Sequence, residues 1–380
     1  MFGLLSRFLA LYAALFSAFG VASPFLPALL ASKGLNASGI GVVLAAGTAI
    51  RLLPGPAGGR LADRSPAPRR VLGWLLIAAS IIGLGYLPAH GLMLLLAVSV
   101  LHAAALAPLN PIADALTLAA AIVRRFDYGW VRGAGSAAFI LGTVLSGFAI
   151  GRFGLPVFVW LNAALLFAAS LFALNLPRAS RPDPPRSRAS GGTLSLLRLP
   201  WFVRLTVVAA LVQGSHALHD SFAVIRWQAA GIGPEAAGLL WSEAVAAEVL
   251  VFAGLGRSLI DRLGPSGAAM LAASAGILRW GVMAHTSWLP ALAMIEPLHG
   301  LTFALLHLAC MRLMSRLVPL HLAARAQAFY GTVAIGAMTA LLTLVSGPLY
   351  QVFGASGFWL MAGLCAVAVP LARGLRLAGR

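Results

Sequence analysis

The stretch "GGRLADRSPAPRR", residues 58–70, recurs in outline as "GLGRSLIDRLG", residues 254–264. Leu61, Asp63 and Arg64 of the first answer Leu259, Asp261 and Arg262 of the second, with Gly59 and Gly256 just ahead of them. Asp63 and Asp261 stand 198 positions apart in a chain of 380. Two charged turns of one pattern, half a chain apart, predict two similar halves.

Around these turns the chain is apolar. It is 60% hydrophobic and only 10% charged, with a mean hydropathy of +0.92. A soluble domain is nearer half apolar and a quarter charged. The apolar runs recur from Phe2 to Leu371, so this is a polytopic membrane protein rather than a soluble domain with one anchor. A helix needs about 20 apolar residues to cross a bilayer. With charges, Pro and Gly as punctuation, twelve spans follow, near 6–31, 38–60, 71–88, 91–119, 129–151, 154–176, 201–227, 235–256, 266–284, 287–315, 322–346 and 350–371. Repeated halves made of such spans are a transporter signature.

The formal net charge is +17, and Lys33 is the only lysine. The cations form short clusters between apolar runs, not a basic face with aromatics interleaved, so nucleic acid is not expected as a partner. Twelve spans put Arg60, Arg64, Arg69, Arg70, Arg124, Arg125, Arg257, Arg262, Arg312, Arg316 and most other arginines on the side of the two termini. The opposite loops hold Lys33, Arg152 and Arg226. This bias predicts cytoplasmic N- and C-termini in the cell's inner (plasma) membrane. The Pro-, Ser- and Arg-rich stretch "LPRASRPDPPRSRASGGTLSLLRLP", residues 176–200, reads as a cytoplasmic linker. The expected organisation is a six-helix bundle over 1–176, a linker over 177–200 and a second bundle over 201–380. Cys310 and Cys365 both lie in apolar spans and make neither a disulfide framework nor a zinc pattern. The first span lacks a small-residue cleavage end and reads as a retained helix. No cofactor is expected, and the chain is expected to be a monomer.

The turn "GGRLADR" resembles the motif between helices 2 and 3 of the major facilitator superfamily. Gly59, Leu61, Asp63, Arg64, Arg69 and Arg70 match it, while "SPAP" replaces its usual short Gly-Arg step. The resemblance implies a gating latch in which the aspartate meets a helix N-terminus and nearby arginines, as helix dipoles allow. Asp261 and Arg262 would serve the second half. A narrower likeness is to the phenylpropionic acid permease branch, similar to lactose-permease-type symporters. It is carried by "DYGWVRGAGSAAFILG" (127–142), "VQGSHALHDSFAVIRWQAAGI" (212–232), "GLLWSEAVAAEVLVF" (238–252), "RWGVMA" (279–284) and "LHGLTFALLHLACMR" (298–312). That branch implies proton-coupled uptake of small acids such as aromatic propanoates. Span 5 lacks the proline of the Gly-Pro motif found in drug/proton antiporters, which leans towards symport.

Ionisable side chains at bilayer depth cost about 2.5–3.5 kcal/mol each on insertion scales and tend to mark function. Span 10 holds "MIEPLHGLTFALLH", residues 294–307. At 100° per residue, Glu296, His299 and His307 fall within an arc of about 80°. Pro297 follows the acid directly and frees a backbone carbonyl. The lactose-permease type pairs a His and a Glu on helix 10 with an Arg on helix 9 and a Glu on helix 8. This chain offers Glu296 and His299 in reversed order, Arg279 on span 9, and Glu243 and Glu248 on span 8. With Asp220 of span 7, these are the expected proton-coupling residues.

Substrate contact is expected from Gln213, His216 and His219 of span 7, Asn110 of the proline-broken span 4, Trp241 and Tyr12. Arg51 is expected to grip a carboxylate, since a guanidinium fork matches one in two hydrogen bonds. Asp114 could pair with Arg132. The fold expected is all-α, with twelve transmembrane helices in two pseudo-symmetric bundles. The function expected is symport of a small organic anion by alternating access. Its rivals are a proton-coupled exporter and an intramembrane metal-dependent enzyme built on His216, His219 and Asp220. No nucleophile motif such as G-x-S-x-G supports the enzyme.

Overall fold

The computed structural model describes residues 2–53, 65, 67–177, 194–319 and 322–375, and all regular structure among them is helical. Grouped across their breaks, the described helices are named α1 to α12. They are α1 (Phe2–Ala22 and Leu26–Ser32), α2 (Ala37–Ile50), α3 (Pro68–Leu84), α4 (Gly91–Leu106 and Leu109–Arg124), α5 (Tyr128–Phe153) and α6 (Val157–Leu174). The second half begins with α7 (Pro200–Gly214 and Ala217–Ala229). A run from Pro234 to His285 then holds α8 and α9, divided where Gly264 takes φ +68° ahead of Pro265. α10 runs from Leu289 to Leu317, α11 from Ala323 to Phe353, and α12 is Phe358–Ala372.

Among the described residues, eight continuous helices are long and apolar enough to cross a membrane. Two of these, of 52 and 50 residues, would be ~75 Å long if straight, far beyond one bilayer crossing. Each therefore carries two spans. The outward faces carry Trp130, Ile122 and Met294 at 75–79% exposure, an arrangement suited to lipid rather than water.

The chain divides into two compact units, Met1–Pro185 with Gly231–Ser242, and Arg186–Ala230 with Glu243–Arg380. The start of α8 thus joins the first unit. Gly147 of α5 lacks a Cβ there, and one would lie 2.6 Å from the Pro234 carbonyl oxygen.

Both units repeat one packing scheme. In the first, α1 packs on α5 and α6, α2 on α4, and α3 on α6; in the second, α7 packs on α11 and α12, α8 on α10, and α9 on α12. The capping repeats as well. Arg7 of α1 donates to the Asn175 carbonyl beyond α6 at 3.0 Å, and Arg204 of α7 donates to the Gly374 carbonyl beyond α12 at 3.1 Å. A cation on unpaired C-terminal carbonyls satisfies both their lone pairs and the helix dipole.

The α1–α5 contact is close at Gly142, where a Cβ would fall 2.6 Å from the Ser17 carbonyl oxygen, a backbone atom that cannot swing away. Gly133, on the same helix, has open space around it. Gly142→Ala is therefore expected to cost about 1–3 kcal/mol through overpacking, while Gly133→Ala is neutral or stabilising. Thermal unfolding of the two purified variants checks this, and equal midpoints would contradict the close contact.

Candidate functional site

α9 brings Arg279, and α10 brings Glu296, to positions with no exposed surface at all. Small residues make this possible: Gly276, one turn before Arg279, lets α12 approach until a Cβ there would meet Cys365 Sγ at 2.5 Å. A lone buried charge costs several kcal/mol, so each side chain demands a partner. Arg279 Nη2 donates to Glu296 Oε2 at 2.5 Å. The other carboxylate oxygen, Oε1, lies 3.2 Å from His219 Nε2, and His219 Nδ1 lies 3.1 Å from Asp220 Oδ1. Arg279 Nη1 reaches His299 Nδ1 at 3.1 Å, and His299 Nε2 lies 3.4 Å from Glu248 Oε2. Six ionisable groups from four helices thus form one chain: Asp220, His219, Glu296, Arg279, His299 and Glu248. The Asp220 end is half-exposed, with 51% of its side chain accessible, while the middle is sealed.

The donors and acceptors settle one tautomer. A guanidinium only donates, so His299 Nδ1 accepts and the ring proton sits on Nε2, facing Glu248. A second proton on Nδ1 would oppose Arg279 head-on.

The regular 100° step does not hold along α10. Pro297 has no N–H, so Glu296–Leu298 tightens into a 3₁₀ turn, and Gly300–Leu305 then widens into a π turn. Glu296 and His299 therefore meet Arg279 at different nitrogens instead of each other. His307 leaves the group and lies 3.4 Å from the Tyr330 hydroxyl. Glu243, half-buried on α8, contributes no hydrogen bond to the chain.

The other expected residues of α7 serve its break at Ser215 and His216. His216 Nδ1 donates to the Gln213 carbonyl at 3.0 Å, and its Nε2 takes the Thr302 hydroxyl at 2.9 Å, which staples α7 to the π turn of α10. Both ring nitrogens are thereby engaged. Gln213 Nε2 reaches the Tyr330 hydroxyl at 3.5 Å, and its buried Oε1 has no hydrogen-bond partner. Ser215 accepts from Trp280 Nε1 at 2.8 Å, and the Arg279 guanidinium stacks on the Trp280 ring at 4.6 Å. Sequence reading missed Ser215, Trp280 and Thr302, because each acts by closing a helix break that periodicity does not register.

In the first unit Asp114 does not pair with Arg132. Its Oδ1 accepts from Tyr12 at 2.5 Å and from Tyr128 at 2.8 Å. Tyr12 is fully buried by this bond. Arg132, exposed on α5, lies 4.5 Å over the Phe16 ring, which stacks on Tyr12 at 5.5 Å. No carboxylate comes within ion-pair distance of Arg132 or Arg51 among the described residues. Arg51 is exposed at the end of α2. Asn110 keeps a buried Oδ1 without a hydrogen-bond partner, and Trp241 is partly buried on α8. Of the repeated turns, Gly59, Asp63 and Arg64 lie outside the described residues. Asp261 accepts from Arg312 of α10 at 3.0 Å, both side chains being exposed, and Arg262 is exposed beside it.

Removing one partner of a buried pair leaves an uncompensated charge. Arg279→Leu is expected to destabilise the protein by about 3–5 kcal/mol, whereas the Arg279→Leu/Glu296→Leu double variant recovers most of that. Thermal unfolding in detergent reads the difference, and additive losses in the double variant would contradict a direct pair.

The chain matches the MFS_1 like family over residues 5–361. It is 35% identical, over 96% of both chains, to an Escherichia coli (strain K12) protein described as a "Probable 3-phenylpropionic acid transporter". It is 25% identical to the maltose permease of Geobacillus stearothermophilus, over 94% of this chain and 90% of that one. The crystal structure of the nucleoside transporter NupG shares the fold with a TM-score of 0.84 at 16% identity, covering 98% of each chain. Twin halves, membrane-spanning helices and full-length similarity agree: this chain belongs to the MFS_1 like family of membrane transporters and is not an enzyme.

Proposed function

We propose that this protein carries a small organic anion, an aromatic carboxylate in the first instance, inward across the cell membrane with protons, by alternating access and as a monomer with cytoplasmic termini. One observation carries the reading: Glu296 is sealed from solvent and held by Arg279, with a histidine beside each of them. A buried ion pair adds little net stability compared with apolar residues of the same volume. A titratable one, sharing its arginine with a histidine, gives a switch. A proton on Glu296 cancels the charge that holds Arg279, and the guanidinium then favours its other partners.

Arg132 supplies the anion end of the reading. It is a cation with an aromatic ring beneath it and no carboxylate of its own among the described residues. A bidentate carboxylate would complete its hydrogen bonds, with Phe16 close by for an aryl group. The described E. coli relative is named for an arylpropanoate, which favours that substrate class. Arg51 is the second candidate for the carboxylate.

The purified protein, reconstituted in liposomes that are acidic outside, is expected to accumulate 3-phenylpropionate. One proton per monovalent anion would give about tenfold accumulation per unit of pH gradient. Accumulation under the opposite gradient would favour the exporter. Glu296→Gln is expected to abolish gradient-driven accumulation while leaving substrate exchange across the membrane largely intact. Full accumulation by that variant would remove Glu296 from the coupling. Arg132→Lys is expected to weaken binding by about tenfold, since the fork loses one of two charge-assisted bonds, and Arg51→Lys by less. The reverse ranking would move the anchor to Arg51.

A further inference from the structure

Glu296 cannot exchange a proton directly with water, because none of its side chain is exposed. Its carboxylate has two hydrogen-bond partners among the described residues, Arg279 and His219. A guanidinium stays protonated in proteins and cannot hand over a proton. That leaves His219. Its second ring nitrogen, Nδ1, points at Asp220, whose carboxylate is half-exposed. We propose that His219 is the relay that loads Glu296, taking the proton from Asp220 at Nδ1 and delivering another from Nε2. The proposal rests on the reading of Glu296 as the coupling acid.

The step balances without any further reactant. The O–H bond of protonated Asp220 breaks and an Nδ1–H bond forms, giving an imidazolium held between two carboxylates. The Nε2–H bond then breaks and an O–H bond forms on Glu296 Oε1, leaving a neutral His219 that carries its proton on Nδ1. Return of the proton by the same route, or a ring turn, restores the first tautomer.

The surroundings fit both ends of the transfer. Before it, Nε2–H donates to Glu296 Oε1 across 3.2 Å. After it, Nε2 is a bare acceptor, and Arg279 Nη2 stands 3.4 Å from it, ready to donate. The cation that held the ionised acid is thus placed to hold the relay once the acid is neutral. The Trp227 and Trp280 rings flank the imidazole at 5.8 Å and keep the path narrow. The charged and titratable groups around His219 include Asp220 and His216 on its own helix, Arg279 on α9, Glu296 on α10, and His299 and Glu248 beyond Arg279. Asp220, Glu296 and Arg279 hydrogen-bond to His219, and of these three Asp220 has exposed surface. The hydrogen bond that ties His299 to Glu296 runs through Arg279, which cannot hand over a proton, so it offers no second route.

The test reads the arrival of the proton, separately from transport. In the purified full-length chain without substrate, a pH jump followed by time-resolved infrared spectroscopy reports the carboxylic acid C=O band of Glu296, identified by its loss in Glu296→Gln. His219→Gln keeps hydrogen bonding but cannot relay, and is expected to slow the appearance of that band by about tenfold or more, the lower range of general acid–base effects. Asp220→Asn, at a half-exposed position, is expected to slow it in the same direction without disturbing the fold. Addition of free imidazole to His219→Gly is expected to restore the rate. An unchanged rate in both His219→Gln and Asp220→Asn would overturn the relay. So would a change in the final extent of protonation with no change in rate, which marks a residue that only tunes the acid. Loss of proton-driven uptake in the wild-type protein, with the band kinetics as expected, would strike at the transport reading and leave the relay standing.

Discussion

Two opposite charges with no exposed surface, Arg279 and Glu296, constrain everything placed around them. Each is the opposite charge that offsets the other's insertion cost, so α9 and α10 must present them at matching depth. The close approach of α12 at Gly276, the Trp280 ring under the guanidinium and the proline turn after Glu296 all hold that geometry. An apolar pair would satisfy the packing more simply. Neighbouring histidines stand on both sides of the pair, His219 at the carboxylate and His299 at the guanidinium, and the proposed coupling is built on them.

The two units share a frame and differ in chemistry. Helix packing repeats from one to the other, and so does the arginine that caps the last helix of each, Arg7 in one and Arg204 in the other. Among the described residues, the ionisable chain lies in the second unit. The first instead commits its membrane-depth carboxylate, Asp114, to two phenols and leaves Arg132 over an aromatic ring.

Much of the frame was legible because it follows from hydropathy and repetition. Runs of apolar residues marked the spans, and Leu-x-Asp-Arg at Asp63 and Asp261 marked the halves. The identities of Glu296, Arg279, Asp220, His219, His299 and Glu248 were also legible, since charge in an apolar run is conspicuous. Their connections were not. Placing Glu296 and His299 on one face assumed a constant step per residue, and the 3₁₀ and π turns around Pro297 and Gly300 break that assumption. Asp114 was matched with Arg132 on charge alone, yet Tyr12 and Tyr128 stand nearer and satisfy the carboxylate without a second buried charge. His216 reads as a substrate-facing group of span 7 together with Gln213 and His219. The break in α7, which periodicity does not register, gives it a backbone carbonyl and a hydroxyl to hold.

The two histidines that touch Arg279 differ in what their second nitrogens meet. His299 has one donor facing it, Arg279, and one acceptor, Glu248, so its hydrogen bonds are complete with a single ring proton. His219 has a carboxylate at each nitrogen, so one ring proton leaves a carboxylate oxygen unserved and two satisfy both. In the proposed relay the mobile proton belongs to the α7 side of the guanidinium, and His299 on the α10 side keeps a fixed one. Arg279 divides the chain at that point, because it can pass charge by moving but cannot pass a proton. Any link between proton arrival at Glu296 and the state of His299 and Glu248 must then be mechanical, carried by the position of one guanidinium.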